Sequence, residues 1–468
     1  MPDRAAAGLP WRLIATVMTG TLLNPLNSSM ISVALLGAAA DLQVDIPTAT
    51  WLVSSFYLVG ATGMPLAGRL ADLYGPRRIF RGGLLIVLLA SVLAAQAPTF
   101  GALLVWRVVQ AFGSAAPSPA GQAMFRAESG SARPPTHALG ALSIANNVSA
   151  ALGPVIGGLV VSFGGWPAIF WINVPVSLAG LVMAWCWLPP DNRADKRPDS
   201  HGHSSARAAI PLTPSLILRE LDLPGVGFFA LTVVGLLAFL LSVARAPEWL
   251  LLGVAVLAGV ALVRRELGHP RPFLDIRFLA RNPRLVRVYL SFAAVSLVFY
   301  GAFFGLPLWL QQTRHFEAAT VGLVVLPISG VAVLLTPVAA RMIVRYGIRP
   351  TLLVGGLALL TGVLLQLWLD VATPLPTLIG ITAVIGIASA FNNLGLQAAL
   401  YQYAPAQWMG TASGQFQTFR YIGATLCTAL LGFVFAGTAT TDGLHILALA
   451  LGPIAVLVIL ASLRIDRP

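Results

Sequence analysis

Two arginines stand inside long apolar stretches, Arg107 in Trp106-Arg107-Val108-Val109-Gln110 and Arg420 in Thr418-Phe419-Arg420-Tyr421. A charge at membrane depth costs at least ~2.5 kcal/mol on insertion scales, so it faces a partner or a water-filled cavity. For Arg107 a snorkelling interfacial position is the plainer alternative. Uncharged polar residues occupy similar places: Asn24 and Asn27 in the first apolar stretch, Gln110 beside Arg107, and Asn146 and Asn147 in the fifth. Asn392, Asn393 and Gln397 lie near the other end of the chain. Each alone could be an interhelical hydrogen-bonding group. As a set drawn from both halves they outline a central cavity for a polar or amphipathic small molecule, with Tyr300, Phe304 and Trp309 as aromatic walls. No Asp or Glu lies near the middle of any of these stretches. The nearest are Asp41, Asp72, Glu128 and Asp370, all close to an end. A buried carboxylate is the ordinary carrier of a coupled proton and the ordinary partner of a cation. Its absence, with two buried arginines, favours a neutral or anionic substrate group.

A second constellation lies between apolar stretches. Residues 68–78 read Gly-Arg-Leu-Ala-Asp-Leu-Tyr-Gly-Pro-Arg-Arg, and an eroded copy at 340–350 reads Ala-Arg-Met-Ile-Val-Arg-Tyr-Gly-Ile-Arg-Pro. Gly75 aligns with Gly347, Arg69 with Arg341 and Arg77 with Arg349, while Val344 stands opposite Asp72. An acid among arginines at a membrane surface can pair with a guanidinium and a helix N-terminus across a gap, then release them. On this reading Gly68, Arg69, Asp72, Gly75, Arg77 and Arg78 form a gate; a basic loop that only orients the hairpin is the simpler alternative. Gly153, Pro154, Gly157 and Gly158 place small residues at near-helical spacing, where helices approach closely and a proline bends one of them.

Other chemistry is excluded or unsupported. There is no His-Glu-x-x-His, no Gly-x-x-x-x-Gly-Lys loop and no paired aspartate motif, which argues against an enzyme and against ATP-driven transport. Cys186 and Cys427 lie in different apolar stretches and read as small buried hydrophobes. His201 and His203 lack a third ligand, so no metal is expected. The net charge of +12 does not mark a nucleic-acid binder, because the basic residues sit in alternate loops rather than in one patch.

The elements that must hold these residues are membrane helices. Hydrophobic residues make up 57% of the chain and charged residues 10%, against about 25% charged in soluble domains; mean hydropathy is +0.82. Apolar blocks of about 20 residues match the hydrocarbon thickness. Spanning helices are predicted near 12–40, 51–71, 79–97, 101–123, 138–163 and 166–189, then 223–244 and 247–263, then 288–310, 320–341, 351–369, 376–400, 411–436 and 443–463. The first is read as uncleaved. The total is fourteen, in an all-α polytopic fold of two six-helix bundles plus two extra central helices. Residues 1–189 form the first bundle, 190–222 a polar linker, 223–287 the extra pair with a basic link, and 288–468 the second bundle. With this count only Arg245 and Arg314 fall in loops on the far side. The termini are therefore expected in the cytoplasm.

These residues also carry a resemblance. The 68–78 loop is similar to that between helices 2 and 3 of major facilitator superfamily transporters. Ala-Leu-Gly-Pro-Val-Ile-Gly-Gly at 151–158 resembles the antiporter signature of its drug exporters. Gly-Gly-Trp-Pro-Ala-Ile-Phe-Trp-Ile-Asn-Val-Pro at 164–175 resembles the fourteen-helix drug:proton antiporter branch, the EmrB/QacA-like group. So do Leu306 to Gln311 with Pro327, and Gly410, Ser413, Gly414, Arg420 and Gly423. The resemblance implies alternating access, proton coupling near Arg107, a leak-limiting role for the 151–158 stretch, and a proton gradient as energy source with no cofactor. It also implies the bacterial cytoplasmic (inner) membrane. Asn27 departs from the branch, which usually has an acid there. The expected function is secondary active export of small amphipathic compounds, drugs or metabolites, with solute uptake or uncoupled facilitation as alternatives. The expected partners are a small-molecule substrate and the lipid bilayer, with no nucleic acid. A monomer is expected; the sequence carries no signal for or against a periplasmic adaptor.

Overall fold

Prolines decide where the long rods of this protein break. The computed structural model describes residues 10–129, 136–188, 222–242, 247–269, 276–404, 409–435 and 438–465. The first half holds helices α1 (Trp11–Thr21), α2 (Leu23–Asp41), α3 (Trp51–Tyr74), α4 (Pro76–Ala95), α5 (Phe100–Ala115), α6 (Pro117–Ser129), α7 (Thr136–Gly164) and α8 (Asn173–Trp187). Then come α9 (Leu223–Ser242) and α10 (Trp249–Gly268). The second half holds α11 (Pro283–Gln312), α12 (Ala318–Tyr346), α13 (Ile348–Leu365), α14 (Leu375–Tyr403), α15 (Met409–Val434) and α16 (Thr441–Leu463). No strand occurs among the described residues. Eight helical rods are long and apolar enough to cross a membrane, counting α1 with α2 as one; Val148–Gly164 and Pro224–Leu240 are shorter apolar stretches.

Three predicted rods prove segmented. Pro25 cannot donate to the Thr21 carbonyl, and the first rod breaks at Leu22 between α1 and α2. Pro117 leaves the Gly113 carbonyl to the amide of Ala116 (3.3 Å), so the predicted 101–123 helix divides into α5 and α6. Pro175 does the same to Trp171, and the predicted 166–189 helix becomes a single turn, Ala168–Trp171, followed by α8. Elsewhere the helices outrun the predicted apolar spans, as in α11 and α12, because the rods continue past the apolar run that marks them. The 190–222 linker lies outside the described residues save for Asp222.

The hairpin repeat has a common geometry. Gly75 and Gly347 have φ of 93° and 91°, a left-handed region that L side chains enter at a cost of roughly 1–2 kcal/mol. Each closes one helix, Gly75 N–H to Ala71 O (3.1 Å) and Gly347 N–H to Ile343 O (2.9 Å), and caps the next. These two turns mark the hairpin end of the bundle; Asp41, Gly165 and Gln312 mark the far end.

The two halves meet along two helix pairs, α7 with α12 and α3 with α15, while α2 also touches α11. In hydrocarbon, close packing rather than hydrophobic burial holds helices together, and the contacts show it. A Cβ on Gly158 would lie 2.3 Å from the Ala318 carbonyl oxygen, and one on Gly322 would lie 2.4 Å from that of Pro154. On the adjoining face of α7, Gly153 and Gly157 press against Ser29 and Met30 of α2. Of the extra pair, α9 leans on α15 and α3 and carries α10. The two helices are tied to each other at the hairpin end by a 2.7 Å ion pair between Arg265 and Asp222, which also accepts from the amide of Gly225.

Candidate functional site

The buried polar residues fall into two groups with different surroundings. The first belongs wholly to the N-terminal half. Arg107 on α5 is 1% exposed. Its Nη2 donates to the backbone oxygen of Asn27 (2.9 Å), its Nε to that of Leu52 (3.3 Å) and its Nη1 to Oε1 of Gln110 (2.7 Å). Gln110 passes the chain on to Ser91 of α4 (2.8 Å), and Asn173 of α8 donates to Oδ1 of Asn27 (2.8 Å). The guanidinium also lies 4.2 Å from the ring centroid of Phe56. Five helices are thereby tied through one charge whose partners are carbonyl and carboxamide oxygens. Asn27 and Gln110 are buried in this web and do not line an open space.

The second group spans both halves. Tyr57 of α3 packs against Tyr300 of α11 (centroids 5.0 Å) and Tyr421 of α15 (5.7 Å), and Phe304 stacks on Tyr300 (5.8 Å). Arg420 Nη2 donates to the Tyr300 hydroxyl (3.0 Å). The Tyr421 hydroxyl donates across the interface to Oδ1 of Asn24 (3.3 Å), whose Nδ2 bonds Ser114 (3.2 Å). Beside this cluster lies a recess of ≈ 20 Å³, room for about one water, lined by Val295, Ser296, Phe299, Tyr300, Leu359, Ala388, Ser389, Asn393 and Arg420, all of the C-terminal half. Ser389 accepts from Asn393 (3.1 Å), and Gln397 donates to Tyr401 (3.4 Å). These four residues are spaced i, i+4 on α14, so one face of an otherwise apolar helix carries polar groups from the recess to the hairpin end.

The remaining predicted residues are distributed elsewhere. Trp309 is fully buried and donates to Thr441 (3.1 Å), tying α11 to α16 away from the recess. Asn392 is fully buried against Gly355 of α13, both of its amide atoms without a hydrogen-bond partner. Asn146 is half-buried on α7; the side chains of Asn147 and Asp72 lie outside the described residues. In the hairpin, Gly68 and Arg69 are half-buried and Arg78 is exposed. Arg77 reaches the carbonyl of Trp185 (3.5 Å) within its own half. Arg81, which the sequence did not single out, donates to Ala184 O (2.8 Å) and stacks on Trp185. Tyr57, Tyr421 and Asn173 were missed too. Their one sequence signal is a hydroxyl or amide in the middle of an apolar run.

A two-half helical bundle with a polar and aromatic centre has the architecture of a membrane transporter, and the family and relatives it matches are transporters, not enzymes. The chain belongs to the Major Facilitator Superfamily, whose profile matches residues 17–428. It is 36% identical over 431 residues to an uncharacterized MFS-type transporter, YwoD, of Bacillus subtilis (strain 168), covering 91% of this chain and 90% of that protein. It is 28% identical to the tetracenomycin C resistance and export protein of Streptomyces glaucescens, covering 93% and 78%. Identity is also 28% to a multidrug resistance protein B homolog of Mycobacterium tuberculosis (strain ATCC 25618 / H37Rv), covering 92% and 77%. Among solved structures, a POT family transporter in complex with a thioalcohol-conjugated peptide shares the fold with a TM-score of 0.70 at 13% identity, covering 100% and 99%.

Proposed function

We propose that this transporter is a secondary active exporter of small amphipathic compounds, drugs or a self-made metabolite, in the cytoplasmic (inner) membrane of a bacterium. The observation that carries this reading is the Tyr57–Tyr300–Arg420–Tyr421 cluster, which joins the two halves beside a small recess of the C-terminal half. A site shared between halves can be exposed to either side as they rock, which is alternating access. Export as the direction rests on relatives named for resistance and export.

The topology we propose has fourteen spans. Residues 1–189 and 288–468 form the two bundles, and 223–287 hold the extra pair with its link. The hairpin end, the 190–222 linker and both termini lie in the cytoplasm. The sorting of basic residues supports this, since Arg69, Arg77, Arg78, Arg341, Arg345 and Arg349 gather at the hairpin end. We assign the gate to that end, at Gly68, Arg69, Asp72, Gly75, Arg77 and Arg78, and the leak-limiting seam to Gly153, Pro154, Gly157 and Gly158. Of the set assigned to substrate or coupling, Arg420, Asn393 and Gln397 serve substrate at the recess and along its polar face, and Arg107, Asn27 and Gln110 serve coupling by tying the N-terminal helices together, with Asn146, Asn147, Trp309 and Asn392 completing the set. The working unit is a monomer.

The energy source is the proton gradient, by antiport. One observation favours a second reading, an uncoupled facilitator: no spanning stretch carries a carboxylate near its middle. Dye efflux from cells expressing the protein, with and without a collapsed proton gradient, separates the two. Antiport predicts that efflux against a gradient stops on collapse; a facilitator only equilibrates the dye in either condition. Accumulation of dye inside energised cells would overturn export in favour of uptake.

A further inference from the structure

The two buried arginines are not equivalent. Three of Arg107's donors are engaged by oxygens of its own half, and it touches no open space. Arg420 makes one hydrogen bond, to Tyr300, and lines the recess. No ion pair joins Arg420 to a carboxylate among the described residues, where the pair shown is Arg265–Asp222. A guanidinium has five donors in a planar fork suited to an oxyanion. Around it stand a phenyl and a phenol ring, Phe299 and Tyr300, three aliphatic side chains, Val295, Leu359 and Ala388, and three neutral polar ones, Ser296, Ser389 and Asn393. A cation in this recess would meet a like charge with no acid to compensate it; a neutral ring would leave the fork unused. We propose that Arg420 anchors the oxyanion of a small aromatic monoanion, that the recess, which holds about one water in this arrangement of the halves (≈ 20 Å³), widens beside Phe299 as the halves rock so that the ring enters, and that this is the substrate class of the exporter proposed above.

A consequence for energetics follows from the charge. The polar face Ser389–Asn393–Gln397–Tyr401 leads from the recess to the hairpin end, the cytoplasmic end on the reading above. A monoanion taken from there and released at the far end moves down an inside-negative potential. Each ~59 mV of that potential supports about a tenfold outward gradient of a monovalent ion. For this substrate the membrane potential takes the place of the proton antiport stated above and needs no proton-carrying carboxylate in the membrane, so the missing acid at Asn27 and the largely unengaged fork at Arg420 have one explanation.

The test uses the full-length protein, purified and reconstituted, and three probes that share one ring: benzenesulfonate, benzenesulfonamide and phenyltrimethylammonium. Wild type should bind benzenesulfonate at least about tenfold more tightly than benzenesulfonamide and show no measurable affinity for the cation. Arg420→Gln should collapse the sulfonate preference to within about twofold; Arg420→Lys, which keeps the charge, should keep part of it. Arg345→Gln, at the exposed hairpin end, should leave the preference as in wild type. In liposomes a potassium–valinomycin potential, positive on the receiving side, should speed benzenesulfonate flux several-fold without a pH gradient. Equal binding of the three probes, no binding of benzenesulfonate, or an undiminished preference in a folded Arg420→Gln protein overturns the proposal. If only the neutral probe or the cation is transported, the exporter reading stands and the anion site falls. If benzenesulfonate binds through Arg420 but no probe crosses the membrane, the anion site stands and the exporter reading falls.

Discussion

At the scale of single residues, the distinction that matters is between polar groups that hold helices together and polar groups that face open space. Arg107→Ala removes a charge from α5 and leaves the Gln110 amide oxygen without its donor, while the Asn27 and Leu52 carbonyls keep the amides of their own helices. Insertion should be normal, since a buried charge is gone. The folded protein should lose stability by roughly 1–3 kcal/mol, the cost of an orphaned buried group, and transport should fall with it. Thermal melting in detergent alongside transport checks this; a variant that melts like wild type while transport is lost would instead give Arg107 a direct role. Asn27→Asp restores the acid usual in the resembling branch, yet position 27 points at Asn173 inside the web and is 2% exposed. Selectivity between a cationic and a neutral dye should therefore stay as in wild type, and a clear shift towards the cation would place residue 27 on the substrate path. The sequence shows why these two groups could not be told apart beforehand. Arg107 and Arg420 are both single charges in apolar runs, and the sequence does not reveal that one meets backbone carbonyls and the other a recess. Which asparagine faces which neighbour is a matter of helix rotation, set by packing partners distant in the chain.

At the scale of helices, most of the design was legible because the apolar run length and the glycine hairpins are local signals. The repeat aligned Gly75 with Gly347, and the structure adds that both take the same left-handed turn. The breaks at Leu22, Ala116 and Ile172 were missed although their prolines are visible. Apolar length marks a rod, and only the loss of particular backbone bonds decides where it divides. The hairpin offers a test of its own: Asp72→Asn keeps the shape and removes the charge. Loss of one charge-assisted contact costs roughly 1–3 kcal/mol, enough to shift a balanced equilibrium several-fold. Transport should drop at normal expression, and unaltered transport would leave the loop a topology signal only. The α7–α12 seam is equally exposed to a single methyl group. Gly158→Ala places a carbon 2.3 Å from the Ala318 carbonyl oxygen, a backbone atom that cannot swing aside. Overpacking of this kind costs about 1–3 kcal/mol, and here it falls on the closed far end. The variant should label faster at a cysteine introduced in the far-end half of α12 and transport more slowly. Gly253→Ala, with open space around it, should do neither. Wild-type labelling and transport in Gly158→Ala would mean that the seam relaxes without consequence.

For the whole molecule the question is what must move. The halves are joined near the far end by Ser54 and Thr428, whose hydroxyls lie 2.5 Å apart, and further along α3 and α15 by Thr418 donating to Ala61 O (3.0 Å). If the protein works by alternating access, the first contact must break whenever the far end opens, since rigid halves cannot expose a central site there otherwise. Hydroxyls this close put the side chains within the range a disulfide spans. Ser54→Cys with Thr428→Cys, built on a background with Cys186→Ala and Cys427→Ala to remove the native thiols, should cross-link on mild oxidation. The oxidised protein should lose nearly all transport and regain it on reduction. Either single cysteine should be insensitive to oxidant. In the locked protein a cysteine at the exposed Gln397, on the polar face of α14, should remain open to a water-soluble thiol reagent, because the lock closes the far end alone. Full transport by a quantitatively cross-linked protein would rule out separation of the halves at Ser54 and Thr428. Protection of position 397 in the locked state would mean that the path from the recess does not run along α14.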